Sequence, residues 1–445
     1  MRLTTSSARR VAAAAASITV LAGLTACGTG NVPGAGGDDT APELSEDQVT
    51  IRATWWGGDS RHPLTQEAIE AFEAKYPNID VEGEFADWGG YWDKLATQTA
   101  GGNAPDIMQM DELYLASYAD RGALYDLEQT SQLDTAGLDP KVLDLGRSEG
   151  TLYGMPISTT AFGILANQDL LDELGLELPD TSAWTWEDLS DFAVEVSEKS
   201  DGKVVGISAL NNGYSLQLWA RQHGEALFSD GGVSISPETL AAYFQQALAW
   251  TESGAAAPAS HQAEMAGVGL DQTDFSTGKQ ALAFSQITQI PAYEAATGGA
   301  TLEPVKIPTE DANEADYSYL KPGMYWSVSS TSEHPAEAAL FVDFMVNDPE
   351  AGAILGADRG IPSNSAVRDS ILDGLTPGEK RAADFVAAEE EYIGEAPEIT
   401  PNGASELDTL IARYLQDVLF ESQTPQEAAE AFIAELDGSI QSANQ

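Results

Sequence analysis

The chain has 445 residues and a formal net charge of −50, because 71 aspartates and glutamates stand against 21 lysines and arginines. Such an excess of acid repels nucleic acid and anionic lipid surfaces, so we expect no nucleic acid partner. The acids are spread along the sequence, which is typical of a solvated acidic surface. A cationic ligand is the alternative interpretation, and the charge alone does not decide for it.

The first 26 residues have the layout of a secretory signal peptide. Residues 1–10 carry three arginines, and a mostly apolar run from Val11 to Leu24 follows. This run is shorter than the ~20 residues that a membrane-spanning helix needs. It ends in the tetrapeptide LTAC at residues 24–27, which resembles the lipobox of bacterial lipoproteins, where the cysteine is lipidated. We therefore predict a signal peptide at 1–26 and a lipid on Cys27; an ordinary signal peptide with a chance cysteine is the alternative.

Residues 27–47 predict a flexible tether, because glycine, proline and acids dominate and apolar residues are few. Cys27 is the only cysteine of the chain, so no internal disulfide is possible. The folded part then begins near residue 48. The remainder is long enough for two domains of ~100–200 residues each.

Strands and helices are predicted to alternate from residue 48 to residue 121. Val49, Ile51 and Ala53 share one face of a period-two strand, and Trp55 continues that apolar face into the predicted core. A helical spacing follows and ends at Pro77, and the strand–helix pattern then repeats twice. This alternation predicts an α/β fold with a mostly parallel sheet.

Three strand-to-helix loops of this region carry aromatic and charged side chains. In open α/β sheets, ligands bind beyond the carboxyl ends of the strands, where such loops converge. The sequence therefore predicts a ligand site at this edge of the sheet. Its candidate residues are Trp56, Asp59, Arg61, Trp88, Tyr91, Asp111, Glu112 and Tyr114.

The second half of the chain predicts another mixed region. Thr185 is placed to cap a helix whose first turn is acidic, and Trp184 and Trp186 are expected to pack at that helix start. The run VVGIS at 204–208 is predicted as a strand, and the residues after 330 are predicted to be mainly helical. Residues 152–165 and the run YLKPGMYWSVSS at 319–330 are expected to be extended.

Motifs for catalysis, metal binding and nucleotide binding are missing from the sequence. The four histidines are scattered, and there is no HExxH, CxxC, GxSxG, GxGxxG or P-loop pattern. We therefore expect no enzyme activity, no cofactor and no metal. Asp59 and Asp111 could form the carboxylate pair of a glycoside hydrolase, which is the catalytic alternative.

Several stretches, in order along the chain, resemble one family. They are WWGGDSRHPLTQEAIEAFEAKYPNIDVEGEF, YWDKLATQTAGGNAPDIMQMDELYLASYADRGALYDL, LYGMPISTTAFGILANQDLLDELGLELPDTSAWTWEDL, FSTGKQALAFSQ and YWSVSSTSEHPAEAALFVDFMVND with ADRGIPSN. They are similar to the extracellular solute-binding proteins, family 1, of ATP-binding cassette importers, in the carbohydrate-binding group that includes maltose-binding protein. The resemblance covers nearly all of the chain after the tether.

The resemblance implies two α/β lobes that close by a hinge on a ligand in the cleft between them. Lobe 1 would hold residues 48–155 and 286–325, and lobe 2 would hold residues 156–285 and 326–445. The closed form, a monomer held outside the membrane by its lipid anchor, would deliver a sugar or oligosaccharide to the transmembrane permease subunits. From lobe 2, the ligand-binding candidates are Asn211, Trp219, Gln286, Trp326 and Arg359.

The side chains at the predicted site suit a sugar, because aromatic rings cover the apolar face of a sugar ring and polar groups pair with its hydroxyls. Fold does not fix the ligand, however. A polyamine or quaternary amine is the alternative solute, since acids and aromatics together also make a cation site.

Overall fold

The computed structural model describes residues 41–58, 61–310, 317–389 and 392–444. The predicted signal peptide, Cys27, the tether up to residue 40, and Asp59 lie outside these residues. Across the described ranges, no helix combines the length and apolar character needed to cross a membrane. The same ranges hold no group of three or more histidine, cysteine or acidic side chains suited to a metal ion.

The strands are short apart from the first two. They are β1 Val49–Trp56, β2 Ile79–Ala86, β3 Ile107–Met110, β4 Arg147–Ser148, β5 Thr151–Leu152, β6 Met155–Pro156, β7 Ser158–Thr160, β8 Phe162–Asn167, β9 Phe228–Ser229, β10 Gly232–Val233, β11 Leu282–Gln286, β12 Leu302–Val305, β13 Lys321–Pro322, β14 Tyr325–Val328 and β15 Ile361–Pro362.

The helices of residues 61–120 match the predicted strand–helix pattern, and the described region after residue 330 is mainly helical, as predicted. The helices are α1 Arg61–Lys75, α2 Trp88–Ala100, α3 Glu112–Asp120, α4 Pro140–Asp144, α5 Gln168–Leu174, α6 Trp186–Lys199, α7 Gly213–Gln222, α8 Pro237–Ser253, α9 Ala259–Met265, α10 Ile290–Ala296, α11 Pro335–Asn347, α12 Pro349–Leu355, α13 Ser365–Ile371, α14 Pro377–Glu389, α15 Leu407–Leu419 and α16 Pro425–Ala443.

The first lobe is built on a five-stranded sheet with the order β2-β1-β3-β14-β6. β1 pairs in parallel with β2 and β3, as the alternating strand–helix pattern predicted. β14 closes this sheet by running antiparallel to β3 and β6. Trp55 is completely buried in the core beneath this sheet, also as predicted.

The second lobe has a three-stranded antiparallel sheet in which β8 lies between β11 and β12. Its largest hydrophobic cluster joins this sheet to α6, α7, α8, α15 and α16. Thr185 caps α6 through a reciprocal bond with Asp188, and Trp184 and Trp186 are buried at that helix start, as predicted. Residues 204–208 form no strand; Val205 makes only an isolated bridge to Gln280.

Three short strands connect the lobes, with β7 lying between β13 and β15. The chain leaves the first sheet at β6, passes through β7 and enters the second sheet at β8. It returns from β12 through β13 to β14. The chain crosses from the first lobe to the second a last time between α13 and α14. α13 contacts α11 and α12 of the first lobe, and α14 contacts α10 and β12 of the second lobe.

The lobe boundaries after residue 285 differ from those predicted. β11 continues into α10 within the second lobe, and β12 pairs with β8 there, so residues 286–305 do not join the first lobe. Residues 324–355 instead pack in the same hydrophobic cluster as β1 and α1. The difference arises because β14 pairs with β3 and β6, which come much earlier in the chain, and such a pairing leaves no local pattern in the sequence.

The folded contacts also begin slightly before residue 48. The backbone N–H of Ser45 donates to Glu337 Oε1 at 2.6 Å, and the Ser45 carbonyl accepts from Asn78 Nδ2 at 3.0 Å. The predicted tether is therefore attached to the first lobe by its last residues.

Candidate functional site

A cavity of about 380 Å³ lies between the two lobes, with walls from both of them. The first lobe contributes the starts of α2 and α3, at the carboxyl ends of β2 and β3. The second lobe contributes the starts of α7 and α15 and the end of β11, and β13 of the connecting sheet completes the wall. The cavity therefore occupies the edge of the first sheet at which the strand-to-helix loops were predicted to converge.

Four of the predicted residues line this cavity: Trp88, Asp111, Glu112 and Gln286. Asp87 begins α2 by accepting a hydrogen bond from the Gly90 N–H, which places Trp88 at the helix start. The Trp88 side chain is 44% exposed, although it belongs to an aromatic cluster. An indole held by buried rings yet open to a cavity is a preformed flat surface for a ligand.

The most densely charged part of the cavity surrounds Lys321. Its Nζ lies 3.4 Å from Glu112 Oε2 and 3.9 Å from Asp111 Oδ2. Asp111 also caps α3, because its Oδ1 accepts the Leu113 N–H at 3.0 Å. All three side chains are largely buried, so this ion pair network is held in a poorly solvated environment.

Burial and charge act on these groups in opposite directions. Burial raises the pKa of Glu112, Lys321 lowers it and Asp111 raises it, and the net pKa is above its ordinary value. Burial by itself lowers the pKa of Lys321, but Glu112 and Asp111 outweigh it, so that pKa is also raised. Lys321 therefore stays charged near neutral pH, and Glu112 protonates more readily than an ordinary glutamate as the pH falls.

The opposite wall offers polar groups from the second lobe. Asp408 Oδ1 accepts the Gly213 N–H at 2.7 Å at the start of α7. One turn along that helix, Gln217 is only 5% exposed, and its Nε2 has no hydrogen-bond partner among the residues that the structure describes. A buried amide donor without a partner is costly, and Gln217 is one of the residues that line the cavity.

Tyrosine and phenylalanine rings form the rest of the wall. The rings of Tyr214 and Tyr319 lie 4.8 Å apart, and Phe162 packs 5.1 Å from Tyr214. The Tyr214 hydroxyl donates to the Tyr319 carbonyl at 2.8 Å. Burial, followed by the charge of Glu112, raises the pKa of both tyrosines well above the ordinary value, so both hydroxyls remain neutral.

Three of the predicted ligand-binding residues, Trp56, Tyr91 and Tyr114, do not line the cavity. Trp56 is buried and meets Trp88 edge-on at 5.0 Å, and Tyr91 donates its hydroxyl to the Gln109 carbonyl at 2.5 Å. Tyr114 stacks on the Trp92 ring at 3.8 Å. These rings support Trp88 from behind, because five aromatic side chains collect at this sheet edge and the outermost one shields the others.

Arg61, Trp326 and Arg359 are also absent from the cavity lining. Arg61 Nε pairs with Asp358 Oδ2 at 2.7 Å, which connects α1 to the loop after α12. Arg359 is buried and donates to Gln109 and Thr65. Trp326 is completely buried, because β14 is an inner strand covered on both faces.

The last two predicted residues lie elsewhere in the second lobe. Trp219 is buried in the core, and its Nε1 donates to the Thr239 carbonyl at 3.0 Å. Asn211 lines a second cavity of about 300 Å³ beside β11 and α15. Sequence reasoning, conversely, missed Lys321, Asp408 and Gln217. Only Lys321 left a signal, as the single charge in the extended run at 319–330.

Comparisons with known proteins agree on one family. The family described as bacterial extracellular solute-binding protein matches residues 58–352. The chain is 27% identical to the lactose-binding protein of Rhizobium radiobacter over 201 residues, which are 42% of this chain and 45% of that protein. It is 24% identical to a maltooligosaccharide ABC transporter solute-binding lipoprotein of Streptococcus pneumoniae (strain ATCC BAA-255 / R6) over 357 residues, 78% of each. The chain thus spans less than half the length of the first of these relatives.

Solved structures show the same likeness over a larger part of the chain. An extracellular solute-binding protein family 1 from Alicyclobacillus acidocaldarius is 28% identical, with a TM-score of 0.69 over 89% of this chain and 100% of that chain. A periplasmic oligogalacturonide binding protein from Yersinia enterocolitica, solved with saturated digalacturonic acid, is 25% identical, with a TM-score of 0.77 over 89% and 100%.

Proposed function

Because the chain belongs to the bacterial extracellular solute-binding protein family, we propose that it captures a sugar or oligosaccharide in the cavity between its lobes. It then delivers this solute to the permease of an ATP-binding cassette importer. The observation that carries the proposal is the cavity itself, which joins the open indole of Trp88 to carboxylates and to the unpartnered Gln217 amide.

The lining of this cavity suits the chemistry of a sugar. The Trp88 indole, exposed at the cavity wall, covers the apolar face of a pyranose ring. Carboxylates of Asp111 and Asp408 accept hydrogen bonds from hydroxyls, and the Gln217 amide donates one. A solute that leaves one of these buried groups unpaired loses about 1–3 kcal/mol of binding free energy, which gives the site its selectivity.

The connecting sheet of β7, β13 and β15 is the proposed hinge. The lobes that move would be residues 45–157 with 323–371, and residues 162–310 with 377–444. Since Trp88 and Asp111 lie on one lobe and Gln217 and Asp408 on the other, a bound solute makes contacts with both only when they are closed. Such differential contact favours the closed state.

The lipid anchor completes the proposal. Cys27, at the end of the proposed signal peptide, would carry the lipid, and the glycine- and proline-rich residues up to 44 would tether a monomeric binding protein to the outer face of the cell membrane. The finding that supports this is the similarity to a solute-binding lipoprotein.

We expect thermal melting of the purified protein to identify the solute class. The panel contains mono- and oligosaccharides, polyamines and betaine. A solute at 100 times its dissociation constant stabilises the protein by about 2.7 kcal/mol, which raises the melting temperature measurably. A rise with one class of sugar supports the proposal, and rises only with polyamines or betaine would contradict it.

Trp88→Ala should lower the affinity for the sugar identified by melting at least about tenfold, which is equivalent to ~1.4 kcal/mol of binding free energy. A calorimetric titration measures this affinity. Phe420→Ala is the matched control, because Phe420 is 53% exposed but lies outside the cavity. Equal affinities of the two variants would show that the cavity is not the binding site.

Cleavage of a glycan is the competing function. It would require a working carboxylate, and Asp111 is the sequence candidate that the structure describes. Its Oδ1 is engaged by the Leu113 N–H and its Oδ2 lies beside Lys321, which suits a fixed acceptor better than a group that transfers protons. Product formation that Asp111→Asn abolishes, with affinity spared, would establish catalysis instead.

A further inference from the structure

We propose that the captured solute is a sugar that bears a basic amino group, which the cavity recognises through Asp408 and the acids around Lys321. This inference rests on the proposed function and adds the chemical class of the solute to it. It implies that the affinity is highest for amino sugars, lower for neutral sugars and lowest for uronic acids.

The balance of charge in the cavity is the first observation. Four carboxylates line it, those of Asp111, Glu112, Glu398 and Asp408, and Lys321 is the only cation among the lining residues that the structure describes. Lys321 lies within 4 Å of Asp111 and Glu112 and so neutralises part of that pair. The cavity as a whole keeps a clear excess of negative charge.

In the described part of the chain, the other two carboxylates form no ion pair within 4 Å, although the charge of Lys321 reaches Asp408 and acts to lower its pKa. Asp408 Oδ1 accepts the Gly213 N–H, and Glu398 accepts the N–H groups of Asp230 and Gly231 at 3.0 and 3.2 Å. Each is thereby fixed in position, while its charge is balanced by no side chain within 4 Å. A preorganised carboxylate of this kind favours an ammonium group, because the pair forms a charge-assisted hydrogen bond.

The aromatic walls strengthen this preference. Tyr214 and Tyr319 line the same cavity, and both remain neutral at physiological pH because burial, followed by the charge of Glu112, raises the pKa of each hydroxyl. The faces of such rings attract a cation, as the Arg221 guanidinium 5.7 Å from the centroid of the Tyr319 ring shows.

A second and independent observation separates an amino sugar from a simple amine. Gln217 Nε2 is a buried donor without a partner in the described structure, and Gln217 lines the cavity. A protonated polyamine at the same depth would bring the positive charge but no oxygen to accept this hydrogen bond. A sugar ring supplies the acceptor, and the exposed Trp88 indole supplies a surface for the ring.

Acidic sugars are disfavoured by the same charges. A solute carboxylate placed between Asp111, Glu112 and Asp408 would meet Lys321 alone as a partner and three acids as neighbours. Like charges at such distances oppose binding strongly. The chain therefore differs in its expected ligand from the related structure that was solved with a digalacturonic acid.

The test compares glycans that differ at one substituent. The purified protein is titrated calorimetrically with mono- to tetrasaccharides of glucose and galactose type, each as the free 2-amine, the N-acetyl amide, the parent 2-hydroxyl compound and the uronate. We expect the free amine to bind at least tenfold more tightly than its amide and its hydroxyl counterpart. The uronate should be the weakest of each set.

Two outcomes have different meanings. If a hydroxyl or N-acetyl glycan binds as tightly as its free amine, the inference is overturned while the proposed function stands. If the protein binds no glycan in any of the sets, the proposed function fails and the inference fails with it.

Asp408→Asn tests whether the cavity acids cause the preference. Asparagine keeps an oxygen that accepts the Gly213 N–H, so the fold is preserved, and melting of the free protein checks this. We expect the ratio of amine to hydroxyl affinity to fall about tenfold, because the neutral amide can still accept a hydrogen bond but no longer forms a charge-assisted one with an ammonium group. Glu177→Gln, an exposed acid outside the cavity, is the control that should leave the ratio unchanged. An unchanged ratio in Asp408→Asn would contradict the proposal.

Discussion

Lys321→Met is expected to lower the free energy of unfolding by about 3–5 kcal/mol at pH 8, because it removes the cation that lies beside two buried carboxylates. Lys321 Nζ now lies 3.4 Å from Glu112 and 3.9 Å from Asp111. Without it, each carboxylate keeps the cost of its burial and repels the other. Denaturant unfolding of the variant and of the natural protein measures the effect. The comparison requires that the unfolding free energy of both proteins depends on denaturant concentration with the same slope.

The loss should depend on pH in a defined direction. The pKa of Glu112 is already raised by burial in the folded protein, and loss of Lys321 raises it further. A carboxyl whose folded pKa is raised favours the folded state most below its unfolded pKa, and this contribution disappears as the pH rises through the folded pKa. The deficit of Lys321→Met should therefore be smaller at pH 5 than at pH 8. Lys321 itself has a raised pKa, so its own contribution is complete at both values.

Two further variants make this result specific. Adding Glu112→Gln to Lys321→Met should recover part of the lost stability, since it removes one of the two unpaired charges. Lys94→Met is the matched control: Lys94 pairs with Glu84 at 2.6 Å on the surface, where such pairs contribute about 0–1 kcal/mol. A Lys321→Met deficit that is no larger than the control, or that does not vary with pH, would contradict the described network.

Trp326→Ala should lower the free energy of unfolding by about 3–5 kcal/mol, because it leaves a large void in the core of the first lobe. Trp326 is completely buried, packs 6.3 Å from the Phe341 ring, and lies below the Arg359 guanidinium. The sequence analysis gave Trp326 as a ligand-binding candidate, whereas the structure buries it in the core. The expected loss of stability therefore distinguishes a role in the core from a role in ligand binding.

Trp88→Ala is the natural comparison for Trp326→Ala, since the same residue type is removed from an exposed position. Its cost in stability should be clearly smaller than that of Trp326→Ala, because the Trp88 residue is 44% exposed, while its effect on sugar affinity is large. If Trp326→Ala instead left stability intact and abolished binding, β14 would have to present that indole to the ligand, and the assignment of Trp326 to the core would be wrong.

Local patterns predicted the first lobe well and the connections poorly. The strand–helix order from β1 to α3 follows from hydrophobic spacing within each element, which needs no knowledge of distant residues. β14 shows the limit of this reasoning. All four of its residues are buried, so its sequence has no polar face, and its neighbours β3 and β6 come from much earlier in the chain.

The same distinction explains the site. The cavity lies at the sheet edge that the sequence indicated, because the loops after parallel strands must converge there. The sequence did not indicate which aromatic ring reaches the cavity. Trp56, Tyr91 and Trp88 all lie at this edge, and only the packing of the rings against one another places Trp88 outermost. Gln217 and Asp408 lie on helix starts that reach the cavity only after the second lobe has packed on the first. No spacing in the sequence records that approach.

A crystal structure of the protein with the glycan that gives the largest melting shift tests the central claim most directly. We expect electron density for one sugar ring against the Trp88 indole, with hydrogen bonds to Gln217 and Asp408 from the opposite lobe. Density for the glycan in the second cavity, beside Asn211, or on the outer surface of either lobe would contradict it.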